Sequence, residues 1–312
     1  MAATIEFPRK GGDGIWRTKE ELEAEWNKMF SKKIIGRLET RKSQHVKQNL
    51  FIDSLIEKIR QGLLTMTPSE LEVERCAMTP KSLLDKTFLK KLRGAFNYDG
   101  FRNKELVKWS QMINVKVCPY CNHEYTLYVG SGVKYALHQF DHFYSKADYP
   151  WLSMCMYNLV PSCSVCNHKK SAVGLSRTIN PYDNDLNDKY SFHVSNSNAL
   201  MSGRMPNDAD QVSIELICSS ANKMDVKDMD STFLLTNRYG RHKDIVSEIY
   251  DKVYCEKYYK HITGIPDNMY CQLLTEWMNV PPLKEDIGKN PLTKFRQDIL
   301  HQARDEYRGE SI

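Results

Sequence analysis

Two Cys-x-x-Cys turns, Cys118/Cys121 and Cys163/Cys166, constrain this chain more than any other feature. Each turn sets two sulfurs on one side of a tight loop, at the bite that tetrahedral zinc takes. Two such turns supply four thiolates, a closed structural site with no position open to substrate. Residues 122–162 lie between the pairs, which is more chain than a simple zinc ribbon inserts, so this segment must itself fold. The alternatives are one or two disulfides, which need an oxidising compartment, or four buried free thiols. Nine cysteines behind an N-terminus without a signal pattern (MAATIEFPRKGGDG) fit a reducing cytoplasm instead. A thioredoxin-like role would need a βαβ frame, which surrounds neither pair.

Within the insert, Glu124–Val129 and Tyr135–Phe143 are rich in β-forming residues and flank Gly130-Ser131-Gly132. That pattern predicts a β-hairpin. Asp141 and His142 are neighbours on its second strand. Their side chains leave opposite faces unless the strand ends or bulges there. After the second turn, Asn167-His168-Lys169-Lys170 reads as the start of a short helix. His138 is expected to be a hydrogen-bonded structural histidine, and His123 no ligand while four cysteines are at hand. Cys155, Phe140, Tyr149, Trp151 and Tyr157 are expected in the core.

Asp141-His142, Asn158-Leu159 and Cys163-x-x-Cys166-Asn167-x-x-Lys170 together resemble the HNH endonuclease motif, in the variant pinned by four zinc cysteines. The resemblance runs from Val117 to Pro181. It implies an α+β fold: mainly helical flanks around a small ββα-metal nuclease core with a four-cysteine structural zinc. It implies that His142 is the general base, that Asp141 binds a catalytic Mg²⁺ or Mn²⁺, and that Asn158 holds the base-bearing loop. Asn167 stands where the family often has a second metal-binding histidine, and His168 takes that place if the register slips by one. The implied activity is metal-dependent hydrolysis of phosphodiester bonds in DNA, leaving 3′-hydroxyl and 5′-phosphate ends. The wording CPYCN, DHFYSK, YPWL, NLVPSCSVCN and NPYD is also similar to HNH effectors of bacterial anti-phage defence, the Septu kind. This similarity implies an ATPase partner encoded beside the chain.

The chemistry is reasonable on its own terms. Phosphodiester hydrolysis needs an activated water, charge neutralisation at the phosphate and help for the leaving oxygen. A histidine with a pKa near ~6.5 can take a proton from water at neutral pH. A hard cation held by Asp141 and an amide oxygen keeps most of its shell for water and substrate. Lys146, Lys169 and Lys170 are candidate phosphate contacts. No base-reading element is evident, so RNA stays open beside DNA. Other readings are a stand-alone restriction or mobile-element endonuclease, and a catalytically silent zinc-stabilised binding module.

Around this centre the chain of 312 residues divides on paper into a helical region 1–95, a nuclease domain 96–185 and a β-hairpin plus helical region 186–312. Thr18 to Glu21 has the form of a capping box opening a helix through about Phe30. Helical periodicity recurs at Ile34–Leu38, Leu50–Leu63, Pro68–Cys76, Lys86–Phe96 and Lys104–Met112. The basic run Lys32–Lys47 suits a phosphate-contacting face, though the net charge of +5 is modest. Tyr190–Val194 and Val212–Cys218 read as strands around a polar loop. A long helix is expected from Phe233 to about His261, capped by Asp230-Ser231-Thr232, with shorter ones at Asn268–Met278 and Pro291–Tyr307. No apolar run approaches the ~18 residues of a transmembrane helix, so no membrane partner is expected. No Gly-rich phosphate loop appears, so the chain itself is not expected to hydrolyse ATP.

Overall fold

A computed structural model describes residues 5–77, 85–129, 135–183, 185–201, 211–263, 269, 276–277, 279–281 and 283–308. It is a mixture of helices and short antiparallel sheets, an α+β arrangement. None of the described helices is long and apolar enough to cross a membrane. The chain divides into two compact units.

The first unit comprises Thr4–Cys118 and Tyr125–Asn184, so the N-terminal helices share it with most of the cysteine-flanked insert. A two-residue ladder, β1 (Arg9–Lys10) with β2 (Trp16–Arg17), precedes α1 (Lys19–Glu39). The capping box forms: Thr18 accepts from the Glu21 amide, and Glu21 accepts from the Thr18 amide. The helix then runs well past Phe30, because Leu22, Trp26, Phe30, Ile34 and Leu38 recur every four residues as one buried stripe. Trp26 packs its ring on Phe30 and Trp109 and donates Nε1–H to the Met154 carbonyl at 3.0 Å. That single side chain ties α1 to α6 (Glu105–Ile113) and to the buried run from Trp151 to Tyr157.

Between them lie α2 (Val46–Arg60), α3 (Pro68–Ala77), α4 (Lys86–Phe96) and the short α5 (Tyr98–Phe101). Asp85 caps α4 by accepting from the Phe88 amide. Asn97 ends it at φ 51°, the left-handed region that asparagine tolerates better than most residues. Phe88, Leu92, Ala95 and Phe96 form its buried face.

The expected hairpin is corrected by the structure. Residues Tyr128–Val129 (β3) do pair with Tyr135–Ala136 (β4), and the intervening glycines lie outside the described residues. The predicted second strand then changes partner. Gln139–His142 (β5) pairs antiparallel with Leu159–Ser162 (β6), Asp141 opposite Val160 and His142 opposite Leu159. The reason is burial: Phe140, Asp141 and His142 are all inside, so their ladder needs a partner buried throughout, which β6 supplies and a short surface hairpin does not. After β6 the chain turns at Cys163 into α7 (Ser164–Lys170).

The second unit is built from Pro119–Glu124 and Asp185–Ile312. The two strands predicted there pair antiparallel as β7 (Ser191–Ser195) and β8 (Ser213–Ile217), with α8 (Asn198–Met201) in the connection. The free edge of β7 is closed by side chains of the last helix, α12 (Thr293–Arg308). Asp298 accepts from the Phe192 amide, and Gln302 both accepts from and donates to the backbone of Val194.

The long helix expected from Phe233 is instead two, α10 (Leu235–Tyr239) and α11 (Lys243–Thr263), preceded by α9 (Lys223–Phe233), which ends where the long helix was expected to begin. Leu234 breaks the first junction at φ 55°. The Asp230 carboxylate, expected to cap a helix start, accepts from the amide and hydroxyl of Thr236 across that break. Tyr239 is thereby placed against Phe192 and Phe295, with its hydroxyl on the Cys121 carbonyl at 2.7 Å. The helix expected at Asn268–Met278 lies almost wholly outside the described residues.

Candidate functional site

Cys118, Cys121, Cys163 and Cys166 come together, all buried, with their sulfurs within 4.8 Å of one another. A tetrahedron with Zn–S bonds of about 2.3 Å separates its sulfurs by about 3.8 Å, so the cluster fits a zinc ion. Its surroundings fit too. The His123 amide points at the Cys121 sulfur and the Cys166 amide at the Cys163 sulfur, each at 3.4 Å. Such amides stabilise thiolates, the form in which cysteine holds metal. The four sulfurs leave no need for His123, whose Nε2 meets His242 Nε2 at 2.8 Å and whose Nδ1 meets Glu124.

The second zinc turn continues as α7, and α7 lies beside β5. At this place a cleft of about 340 Å³ opens, with Asp141, His142, Lys146, Asn167 and His168 all on its walls. Asp141 and His142 both reach it because β5 ends at His142.

His142 is nearly enclosed, at 9% exposure. Its Nε2 lies 3.1 Å from the Ser153 carbonyl, which can only accept, so Nε2 carries the proton. The lone pair is left on Nδ1, which has no hydrogen-bond partner among the described residues. Burial, reinforced by the nearby Lys146 ammonium, pushes the imidazole down to about 3, so it stays neutral throughout the physiological range. Tyr98 packs edge-on against the ring, with centroids 4.4 Å apart, and donates its hydroxyl to the Phe140 carbonyl.

Asn158 is fully buried and acts as a clamp. Its Oδ1 accepts from the Tyr144 amide, while Nδ2 donates to the carbonyls of Tyr144 and Leu152. It therefore fixes both ends of the loop that carries the Ser153 carbonyl toward His142. Asn167 donates its amide to Gln139, which leaves its Oδ1 free of that bond, in a cleft that Asp141 also lines. His168 is exposed at the same cleft, so both residues considered for the second ligand position reach it.

The three candidate lysines fare differently. Lys146 lines the cleft, over the Tyr98 ring and paired with Asp99 at 3.0 Å. Lys169 is exposed outside the cleft's lining. Lys170 is corrected: it is completely buried and cannot meet a phosphate at the surface. Its ammonium bonds the His142 carbonyl at 2.7 Å and both Asp141 oxygens at 3.2 and 3.3 Å. Consecutive residues of a helix point about 100° apart, and here that rotation carries Lys170 under β5 while Lys169 stays in water. Removing one member of a buried ion pair strands the other. Lys170→Met is therefore expected to destabilise the protein by about 3–5 kcal/mol, partly restored by adding Asp141→Asn. Urea melts check this, and an unchanged midpoint would show that the pair is not buried in solution.

Arg93, Tyr98, Arg102, Gln139 and Ser145 also line the cleft and were not singled out from the sequence. Arg93 and Arg102 lie some way from the motif in sequence, and no local spacing marks them. His138 is structural, as expected: it is buried, against Ser110 and the Leu127 carbonyl. Burial lowers its pKa from 6.5 to about 4. Below pH 6.5 the unfolded chain takes up this proton and the folded one does not. The stability that neutral His138 contributes is thus complete above pH 6.5 and is lost as the pH falls toward 4, by about 3 kcal/mol. Denaturant midpoints between pH 7.5 and 4.5 should fall accordingly, and His138→Gln should flatten the slope. An equally steep slope in that variant would refute the assignment.

Tyr149 is only half-buried and receives a hydrogen bond from Arg75, whereas Phe140, Trp151, Cys155 and Tyr157 are core. Compared with known proteins, the chain matches no family model, no curated protein and no solved structure.

Proposed function

We propose that the chain is a metal-dependent endonuclease of the HNH type that hydrolyses phosphodiester bonds of DNA. The observation that carries this reading is the state of His142: neutral, fixed through Nε2–H, with Nδ1 free of hydrogen-bond partners among the described residues, in a cleft that Asp141 and Asn167 also line. A neutral imidazole so placed can accept a proton from water, although burial makes it a weaker base than a free imidazole. The pairing of β5 with β6 followed by α7, beside a four-cysteine cluster, supports the reading further.

In this reading a water held in the cleft loses its proton to His142 Nδ1 as its oxygen attacks phosphorus. The Ser153 carbonyl holds the ring in the required tautomer, and Asn158 holds the loop that carries this carbonyl. A divalent cation bound by Asp141 and Asn167 would supply charge neutralisation at the phosphate and at the leaving 3′ oxygen. Lys170 holds Asp141 in place through its buried ammonium. Arg93, Arg102 and Lys146 offer positive charge at the cleft wall. The four-cysteine zinc is structural. An ATPase partner and a role in anti-phage defence rest on the resemblance of short segments alone.

The test is a plasmid-cleavage assay on zinc-loaded protein with Mg²⁺, with Mn²⁺, and without added divalent cation. Nicking or linearisation that depends on the added cation is the expected result. If the zinc-replete protein leaves DNA and RNA intact under all conditions, alone and with the product of the neighbouring gene, the nuclease reading is wrong and a binding module takes its place.

A further inference from the structure

We propose that the exposed face of α4 is a track for the sugar–phosphate backbone of a polynucleotide, leading away from the candidate cleft. Its placement as substrate track rests on the nuclease reading, but its binding can be measured without it. A second cleft, of about 580 Å³, shares Arg93 and Ala147 with the first, so the two adjoin. Its wall on α4 is made by Lys86, Leu89, Lys90, Arg93 and Gly94. The three cations are spaced i, i+4, i+7 and therefore lie along one face, which is exposed because Phe88, Leu92, Ala95 and Phe96 take the opposite face into the core.

Among the described residues, Lys86, Lys90 and Arg93 make no ion pair, whereas other surface lysines here do, such as Lys42 with Glu39 and Asp53. The acidic group in this cleft, Asp99, is held by Lys146. Asp99 also feels the charge of Arg93, and a row of cations that form no ion pair beside a cleft is the electrostatic footprint of a polyanion. The Arg41 guanidinium, from the basic run at the end of α1, lies 3.4 Å from where a Gly94 Cβ would stand and so adds a fourth cation beside the row. Seven residues of helix rise about 10 Å, the length of about three nucleotides at 3.4 Å each.

The experiment measures anisotropy of a labelled 30-bp DNA duplex and of a 30-nucleotide RNA, without added divalent cation, between 50 and 200 mM salt. It compares wild type with K86Q/K90Q, whose two positions are exposed and outside the first cleft. Losing two phosphate contacts should make the slope of log K against log salt shallower by about 1.8 for duplex DNA or about 1.4 for single-stranded RNA. For DNA the affinity should drop about 100-fold at 50 mM salt, and the gap should narrow about tenfold by 200 mM. The probe that shows this change identifies the strand the track takes. Equal slopes for the two proteins on both probes, or no binding of either probe by wild type, overturn the proposal. Protein that binds through α4 and cuts nothing loses the nuclease reading and keeps the track. Protein that cuts DNA while K86Q/K90Q binds like wild type keeps the nuclease reading and loses the track.

Discussion

His142→Ala is expected to lower the cleavage rate by about 10²–10⁴-fold, the usual contribution of a positioned general base. The effect should fall on kcat, since the imidazole acts on the attacking water and not on the bound polynucleotide. The ring is buried against Tyr98, so its removal also leaves a small cavity, and a destabilisation of about 1–2 kcal/mol accompanies the loss of rate. His142→Gln fills more of that space and separates the two effects: it should melt closer to wild type and cleave no better than alanine. Because burial keeps the imidazole neutral far below its ordinary range, the wild-type rate should stay level between pH 8 and 6. A fall in rate centred on pH 6.5, or full activity in either variant, would contradict the role given to Nδ1.

Cys163→Ser is expected to empty the zinc site and unfold its surroundings. Structural zinc contributes on the order of 10 kcal/mol in small zinc domains, as much as the whole stability of many domains. The substitution isolates the metal well. Cys163 also caps α7, accepting from the Cys166 amide, and serine is a good cap in that position. The cap itself is therefore conserved in kind, and any unfolding traces to the loss of one thiolate ligand. Elemental analysis should give one zinc per wild-type chain and little in the variant, and the variant's melting curve should lose its cooperative step. A zinc-free wild type, or a variant with normal zinc content and melting curve, would dispose of the four-cysteine site.

Much of the local structure was readable because its causes are local. The Thr18–Glu21 box, the four-residue stripe of α1, the strands β7 and β8 and the two cysteine turns each depend on side chains a few positions apart. The same is true of the Asp141-His142 pair as candidate chemistry. Where local signals misled, a distant group had won. The helix expected through Leu234 broke because Asp230 found Thr236 and Tyr239 found a core. The strand after Ala136 left its hairpin because buried residues needed a buried partner.

The sequence by itself determined the helices whose apolar stripe and caps are local, such as α1 and α4, that four thiolates suit a metal, and which residues could do acid–base work. Only the tertiary structure decided that Lys170 is a buried strut under Asp141 while Lys146 faces the cleft, and that Arg93 and Tyr98 join the site at all. Periodicity tells which face of a helix is apolar, but not which charged group another element will bring beside it. A lysine is buried only when a carboxylate and a carbonyl meet its ammonium, and here both arrive from a strand far away in the chain.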